Sequence, residues 1–213
     1  MRNCIGKSAK NSLTSNLSQA MEFELVVIGT SWGGLKALEI LLAELPKDFP
    51  LAVAIAQHRH RNAGDLLSEL LQRYSLLPVV EAEDKHPITP GHVYLAPANY
   101  HLLVEPGNFA LSTEAPVLYA RPSIDLLFES AADAYTHRAI GVILTGANHD
   151  GSQGLATLKK RGGLAIVQEP TEAESSVMPT AAISATQVDQ ILPLAKIAPC
   201  LIALAQQNNK WVK

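Results

Sequence analysis

The chain has 213 residues, a formal net charge of -3, and is 47% apolar and 17% charged. That size and composition fit one compact globular domain with a real core, and a pI near 6.2 argues against a dedicated nucleic-acid binder. Two cysteines, Cys4 and Cys200, are too few for a disulfide framework, and no apolar run is long enough to span a membrane.

The chain opens on a polar stretch, residues 1–21, rich in Ser and Asn and lacking the apolar run of a signal peptide. It is expected to be a disordered tail or linker, and the protein is expected in the cytoplasm. From residue 22 the character changes. Leu25-Val26-Val27-Ile28 completes a strand at 24–28, followed by a helical pattern over 33–45 that Pro46 closes. Residues 51–56 are a second continuous apolar run, as expected of a strand buried on both faces. A helix is predicted over 62–74, with Leu66, Leu67, Leu70 and Leu71 on one stripe.

Short apolar pieces follow at 79–80, 93–96, 101–104 and 109–111, punctuated by Pro and Gly. They read as hairpins or a meander beside the main sheet. The longer alternation then returns: a helix at 123–136, a strand at 139–144, a helix from about 151 and a strand at 164–167. Helices near 179–185 and 193–206 close the domain, and 207–213 is a C-terminal tail. No internal repeat is visible. Strand alternating with helix predicts an α/β fold: a three-layer, doubly wound, mostly parallel sheet with helices on both faces and an added β-hairpin.

In such a fold the site lies beyond the carboxyl ends of the strands. The first strand runs into Gly29-Thr30-Ser31-Trp32-Gly33-Gly34, whose Gly-x-Ser-x-Gly spacing is that of a nucleophile elbow. The same turn could cradle a phosphate or simply make a tight connection, although neither a G-x-G-x-x-G nor a P-loop is present. The second strand ends at Gln57-His58-Arg59-His60, and the returning strand at Thr145-Gly146-Ala147-Asn148-His149-Asp150-Gly151. Three strand ends thus offer a serine, a histidine and an aspartate, the parts of a hydrolytic triad. Their order, Ser, His, Asp, differs from that of α/β-hydrolases and disfavours that fold. Each also has a structural reading: His58 as a cap, Asp150 as the N-cap of the next helix, Asn148 as a turn residue. His60, His86, His92, His101, His137 and His149 show no metal-ligand spacing, so no metal and no cofactor are expected.

These residues resemble a known family. Ile28 to Gly34, Ala56-Gln57-His58, Leu95-Ala96-Pro97, Arg121-Pro122-Ser123-Ile124-Asp125 to Phe128, and Gly141 to Gly146 with Asp150-Gly151 look like the catalytic domain of the CheB-type chemotaxis protein-glutamate methylesterases. The five blocks occur in order across about 22–205. The resemblance implies hydrolysis of glutamate γ-methyl esters on the cytoplasmic helices of methylated chemoreceptors, releasing methanol, and deamidation of receptor glutamines. It implies Ser31 as nucleophile, His58 as base and Asp150 as the orienting acid. Trp32, Ala147 and Gln57 are the corresponding oxyanion or substrate-binding positions, the first two through backbone N–H groups. The catalytic domain would span 22–206.

The chain departs from the family pattern at Trp32, where Thr is usual, at Arg59-His60 for Met-Pro, and at Ala147 for Met. Residues 1–21 are also too short for the family's receiver domain, so control by a separate response-regulator or kinase partner, or constitutive activity, is expected. Two rival readings stand beside the enzyme. One is a binding module whose acyl site Trp32 fills. The other is an esterase for a different substrate, with a pocket reshaped by Trp32 and Arg59. Arg121, Ser123 and Asp125 read as a helix cap with an Arg–Asp pair, or alternatively as a wall of the substrate groove.

Overall fold

The structure, a computed structural model, describes residues 23–59 and 66–208. The predicted tail at 1–21, the first part of the predicted helix at 62–74, His60 and most of the C-terminal tail lie outside these residues.

The element order begins β1 (Leu25–Thr30), α1 (Gly34–Ala43), β2 (Ala52–Gln57), α2 (Leu66–Gln72), β3 (Val79–Glu81) and β4 (Val93–Leu95). It continues with β5 (His101–Glu105), β6 (Asn108–Ser112), α3 (Ile124–Tyr135), β7 (Ala139–Ile143) and α4 (Ser152–Lys160), and ends with β8 (Leu164–Gln168), α5 (Val177–Ala185), β9 (Gln190–Leu192) and α6 (Leu194–Asn208). Seven strands form one sheet in the order β3-β4-β2-β1-β7-β8-β9, every pair parallel.

The apolar runs explain the layering. Alternate side chains of a strand point to opposite faces, so a strand apolar at every position needs cover on both. Val26 and Ile28 of β1, with Val53 and Ile55 of β2, pack under Leu38, Leu41 and Leu42 of α1 and Ile197 and Leu201 of α6. Leu25 and Val27, with Ala54 and Ala56, face Leu127 and Phe128 of α3, Leu155 of α4 and Met178 of α5. Each fully buried aliphatic side chain contributes about 1.5–3 kcal/mol relative to exposure. The small alanines of β2 leave room on that second face for the separate β5–β6 hairpin, whose Leu102, Val104 and Phe109 join the same core.

Two sequence expectations change. The segments at 79–81 and 93–95 are not part of a meander; they are short parallel strands that extend the main sheet, and among these four segments β5 and β6 are the pair that forms a hairpin. A seventh strand, β9, pairs with β8 at the opposite edge and was not expected. Three residues are too few to display a periodicity.

The strand order also places the site. From β1 the chain builds outward through β2 to β4 and β3, then returns to lay β7 on the other side of β1. The crevice beyond the C-terminal ends of β2, β1 and β7 is therefore the topological switch point, where such sheets bind ligands.

Candidate active site

Backbone hydrogen bonds tie the three strand ends together. Ser31 N–H donates to Thr145 O at 3.0 Å, and His58 N–H donates to Thr30 O at 3.0 Å. The buried Thr30 hydroxyl adds a bond to Thr145 O at 2.8 Å. Gln57 clamps two of the ends, since its amide donates to Ser31 O at 3.0 Å and His58 O at 3.1 Å. After Ser31 the chain turns through Gly33 at φ 78°, a left-handed conformation that a side chain would strain. A Cβ there would also run into Glu174.

Asp150 is fully buried, and its carboxylate is the hub of the site. Oδ2 accepts from His58 Nε2 at 2.7 Å and from Ile124 N–H at 2.7 Å. Oδ1 accepts from Asp125 N–H and from the Ser123 hydroxyl, each at 3.0 Å. The carboxylate thus caps the N-terminus of α3, where free N–H groups and the helix dipole favour a negative charge. Burial alone would push its pKa up. The hydrogen bond from His58 and the two backbone N–H donors outweigh burial and hold it below the usual aspartate range. The alternative reading of Asp150 as N-cap of α4 does not hold: Gly151 occupies that position at φ 96°, and Asp150 reaches back to α3.

Asp125 serves α4 instead. Its Oδ1 accepts from Gly151 N–H at 2.9 Å and Gly154 N–H at 2.7 Å. Burial raises its pKa to about 6; those N–H bonds pull it down, and the negative charge of Asp150 pushes it up again. The expected Arg121–Asp125 pair does not form. Arg121 donates to Asn99 Oδ1 and to the Thr113 and Glu114 carbonyls, while it lines a cleft with His58 and Asn148. The expected Ser123 cap is present, accepting from Leu126 N–H at 3.4 Å.

The second imidazole nitrogen, His58 Nδ1, lies 3.2 Å from the Asn148 side-chain amide nitrogen. Asn148 Oδ1 in turn accepts Asp150 N–H at 3.1 Å. Sequence reasoning read Asn148 only as a turn residue and missed this contact; no spacing signal could have revealed it. Ser31, Trp32, Ala147 and His58 open on one cavity of about 600 Å³. The backbone N–H groups of Trp32 and Ala147 have no hydrogen-bond partner among the described residues. The Trp32 side chain is 66% exposed, so it stands on the rim in solvent and does not fill the cavity. Arg59 turns away from the cavity to Glu81 and the Ala96 carbonyl. His101 is structural: its ring is buried between Ser123 N–H and Ala115 O.

A doubly wound parallel sheet with a serine, a histidine–aspartate pair and free backbone donors at its switch point has the layout of a serine hydrolase. The sequence profile described as CheB methylesterase matches residues 26–201, and the chain belongs to that family. A putative protein-glutamate methylesterase/protein-glutamine glutaminase of Leptospira interrogans is 46% identical over 189 residues, covering 88% of this chain and 98% of that protein. A protein-glutamate methylesterase/protein-glutamine glutaminase of Pseudomonas syringae is 41% identical over 184 residues, covering 86% of this chain but 55% of its own length. The crystal structure of the Thermotoga maritima CheB methylesterase catalytic domain superposes with a TM-score of 0.82 at 35% identity, covering 86% of this chain and 99% of that one.

Proposed function

We propose that the chain is a serine hydrolase that removes methyl groups from glutamate γ-methyl esters on chemoreceptor cytoplasmic helices, and deamidates receptor glutamines by the same chemistry. Its place of action is the cytoplasm, where those helices lie. The catalytic unit is residues 22–206, in keeping with the family match over 26–201. The observation that carries the reading is the 2.7 Å bond from His58 Nε2 to the buried Asp150, at the strand end beside Ser31.

In this reading Asp150 orients the ring, so Nδ1 is the nitrogen left to handle the serine proton. Nδ1 takes the proton of Ser31 Oγ as that oxygen attacks the ester carbonyl. The oxyanion is held by the N–H groups of Trp32 and Ala147, donors that survive the side-chain departures at both positions. The carbon–oxygen bond to the methoxy group then breaks, and methanol leaves with the proton from His58. Water, deprotonated by His58, attacks the acyl-enzyme and restores Ser31 with a free glutamate. For a glutamine the leaving group is ammonia.

The exposed position of Trp32 removes the feature that favoured a binding module. The test is methanol release from a methylated receptor cytoplasmic fragment. Ser31→Ala should lower the rate by roughly four to six powers of ten. Near-wild-type turnover by that variant would refute the assignment.

A further inference from the structure

Two clefts meet at His58. The one holding Ser31 is rimmed by Trp32 and Leu35, and the other, about 780 Å³, is rimmed by Leu118 and Tyr119. Together they exceed what a single esterified side chain needs. The second rim is built in an unusual way. Val117 and Ala120 exchange both backbone hydrogen bonds, at 3.1 and 2.8 Å, closing a two-residue hairpin turn. Its two central residues are Leu118 at φ 46° and Tyr119 at φ 66°. Left-handed central residues are what such a turn demands, and the sequence that suits it is Asn-Gly. A side chain with a Cβ is strained there, and a bulky one is an outlier.

Burial does not explain the strain. Leu118 is 55% exposed and Tyr119 fully exposed, so neither side chain is fixed by a core. The surroundings hold the turn from outside. Arg121 grips the Thr113 and Glu114 carbonyls at 2.7 and 2.8 Å and Asn99 Oδ1 at 2.6 Å, and His101 holds Ala115 O at 3.2 Å. Backbone strain that the rest of the structure enforces, and that presents two large apolar groups to water beside a catalytic histidine, is a mark of function.

We propose that the Leu118–Tyr119 turn is a docking tip that grips the apolar face of the substrate's receptor helix while a side chain of that helix enters the Ser31 cleft. This rests on the methylesterase reading above. The occupant is a helix because the tip and the Trp32–Leu35 rim stand on two clefts that share His58 in their walls, and a helix offers apolar residues three and four positions from the reacting glutamate on the same face. Tyr119 is a specificity residue: it sets how tightly the protein substrate binds and leaves the acyl chemistry to Ser31.

The test is the double variant Leu118→Asn/Tyr119→Gly, which gives the turn its preferred residues and removes both apolar groups. The expected result is a melting temperature equal to or above wild type, KM for the methylated receptor fragment raised roughly tenfold, kcat unchanged, and labelling of Ser31 by a small serine-directed phosphonate within about twofold. Tyr119→Phe, which keeps the ring, should retain the wild-type KM. A wild-type KM in the double variant, with methanol still released, would overturn the docking tip alone. Absence of methanol release from wild type, with Ser31 still labelled by the phosphonate, would overturn the receptor reading and the tip with it.

Discussion

The side-chain amide of Asn148 sits 3.2 Å from His58 Nδ1, on the opposite edge of the ring from Asp150. Nε2–H donates its hydrogen bond to Asp150, so Nδ1 is left with a lone pair, and Asn148 donates to it. In the free protein the nitrogen proposed to receive the serine proton is therefore occupied. A substrate must displace this bond, or the serine must compete with it. Catalytic hydrogen bonds often form only in the substrate complex.

Asn148→Ser separates the two tasks of this residue. A serine hydroxyl can still accept Asp150 N–H two residues on, as Asn148 does, but cannot reach the imidazole. Freeing Nδ1 from one neutral hydrogen bond should speed phosphonate labelling of Ser31 roughly fivefold. The rate of mass gain by the intact protein measures it. Slower labelling would mean that the amide orients the ring and does not compete for it.

Asp150→Asn should lower both activity and stability. It leaves donors of the α3 N-terminus and His58 facing an amide in place of a charge. The cost is about 2–3 kcal/mol at pH 7 in urea unfolding. A carboxyl held below its ordinary value of about 3.8 stabilises the fold above that value and loses this progressively as pH falls from there through its lower folded value. The gap between variant and wild type should therefore close as the pH drops below about 4. A gap that is constant down to pH 3 would contradict the charged network.

Asp125 acts in the opposite sense, in a separate window. Its folded pKa of about 6 lies above the unfolded value of 3.8, so between those values the folded protein holds a proton that the unfolded chain has released. This contribution makes stability decline as pH rises from about 4 to about 6. Asp125→Asn keeps an oxygen for Gly151 and Gly154 and removes this titration, so its urea midpoint should fall less across that range than that of the wild type. Parallel curves for the two proteins would show that Asp125 does not titrate there.

Gly151→Ala should be among the most damaging small substitutions. A Cβ there meets Ile124 Cγ2 at 2.5 Å and Ile143 Cδ1 at 2.7 Å, on a backbone at φ 96°. Strain and overpacking together cost about 3 kcal/mol or more. The same change displaces the residue that follows Asp150, so activity should fall with stability. A variant with the wild-type melting temperature would be incompatible with this packing.

Much of this was legible from the chain alone. The continuous apolar runs of β1 and β2 announced strands buried on both faces, and where both ends lie among the described residues the helices fell within a few residues of their predicted limits. Ser31, His58 and Asp150 could be singled out as candidates because each follows a strand, and the ends of parallel strands converge. The edge strands were harder to read: β9 is largely exposed and three residues long, so no burial pattern marks it.

What the sequence determined by itself was the fold class, the family and the strand ends that carry the candidate site residues, because these rest on local periodicity and on ordered motifs. Only the tertiary structure decided what each polar group faces. Asp150, read as the acid that orients His58 or as a cap of α4, bonds His58 and caps α3 instead; Asp125 exchanged an expected arginine for two backbone N–H groups; Asn148 became a ligand of the imidazole. These partners lie 26 to 92 residues apart along the chain. A hydrogen bond depends on distance and direction within a few tenths of an ångström, which sequence spacing does not encode and packing alone sets.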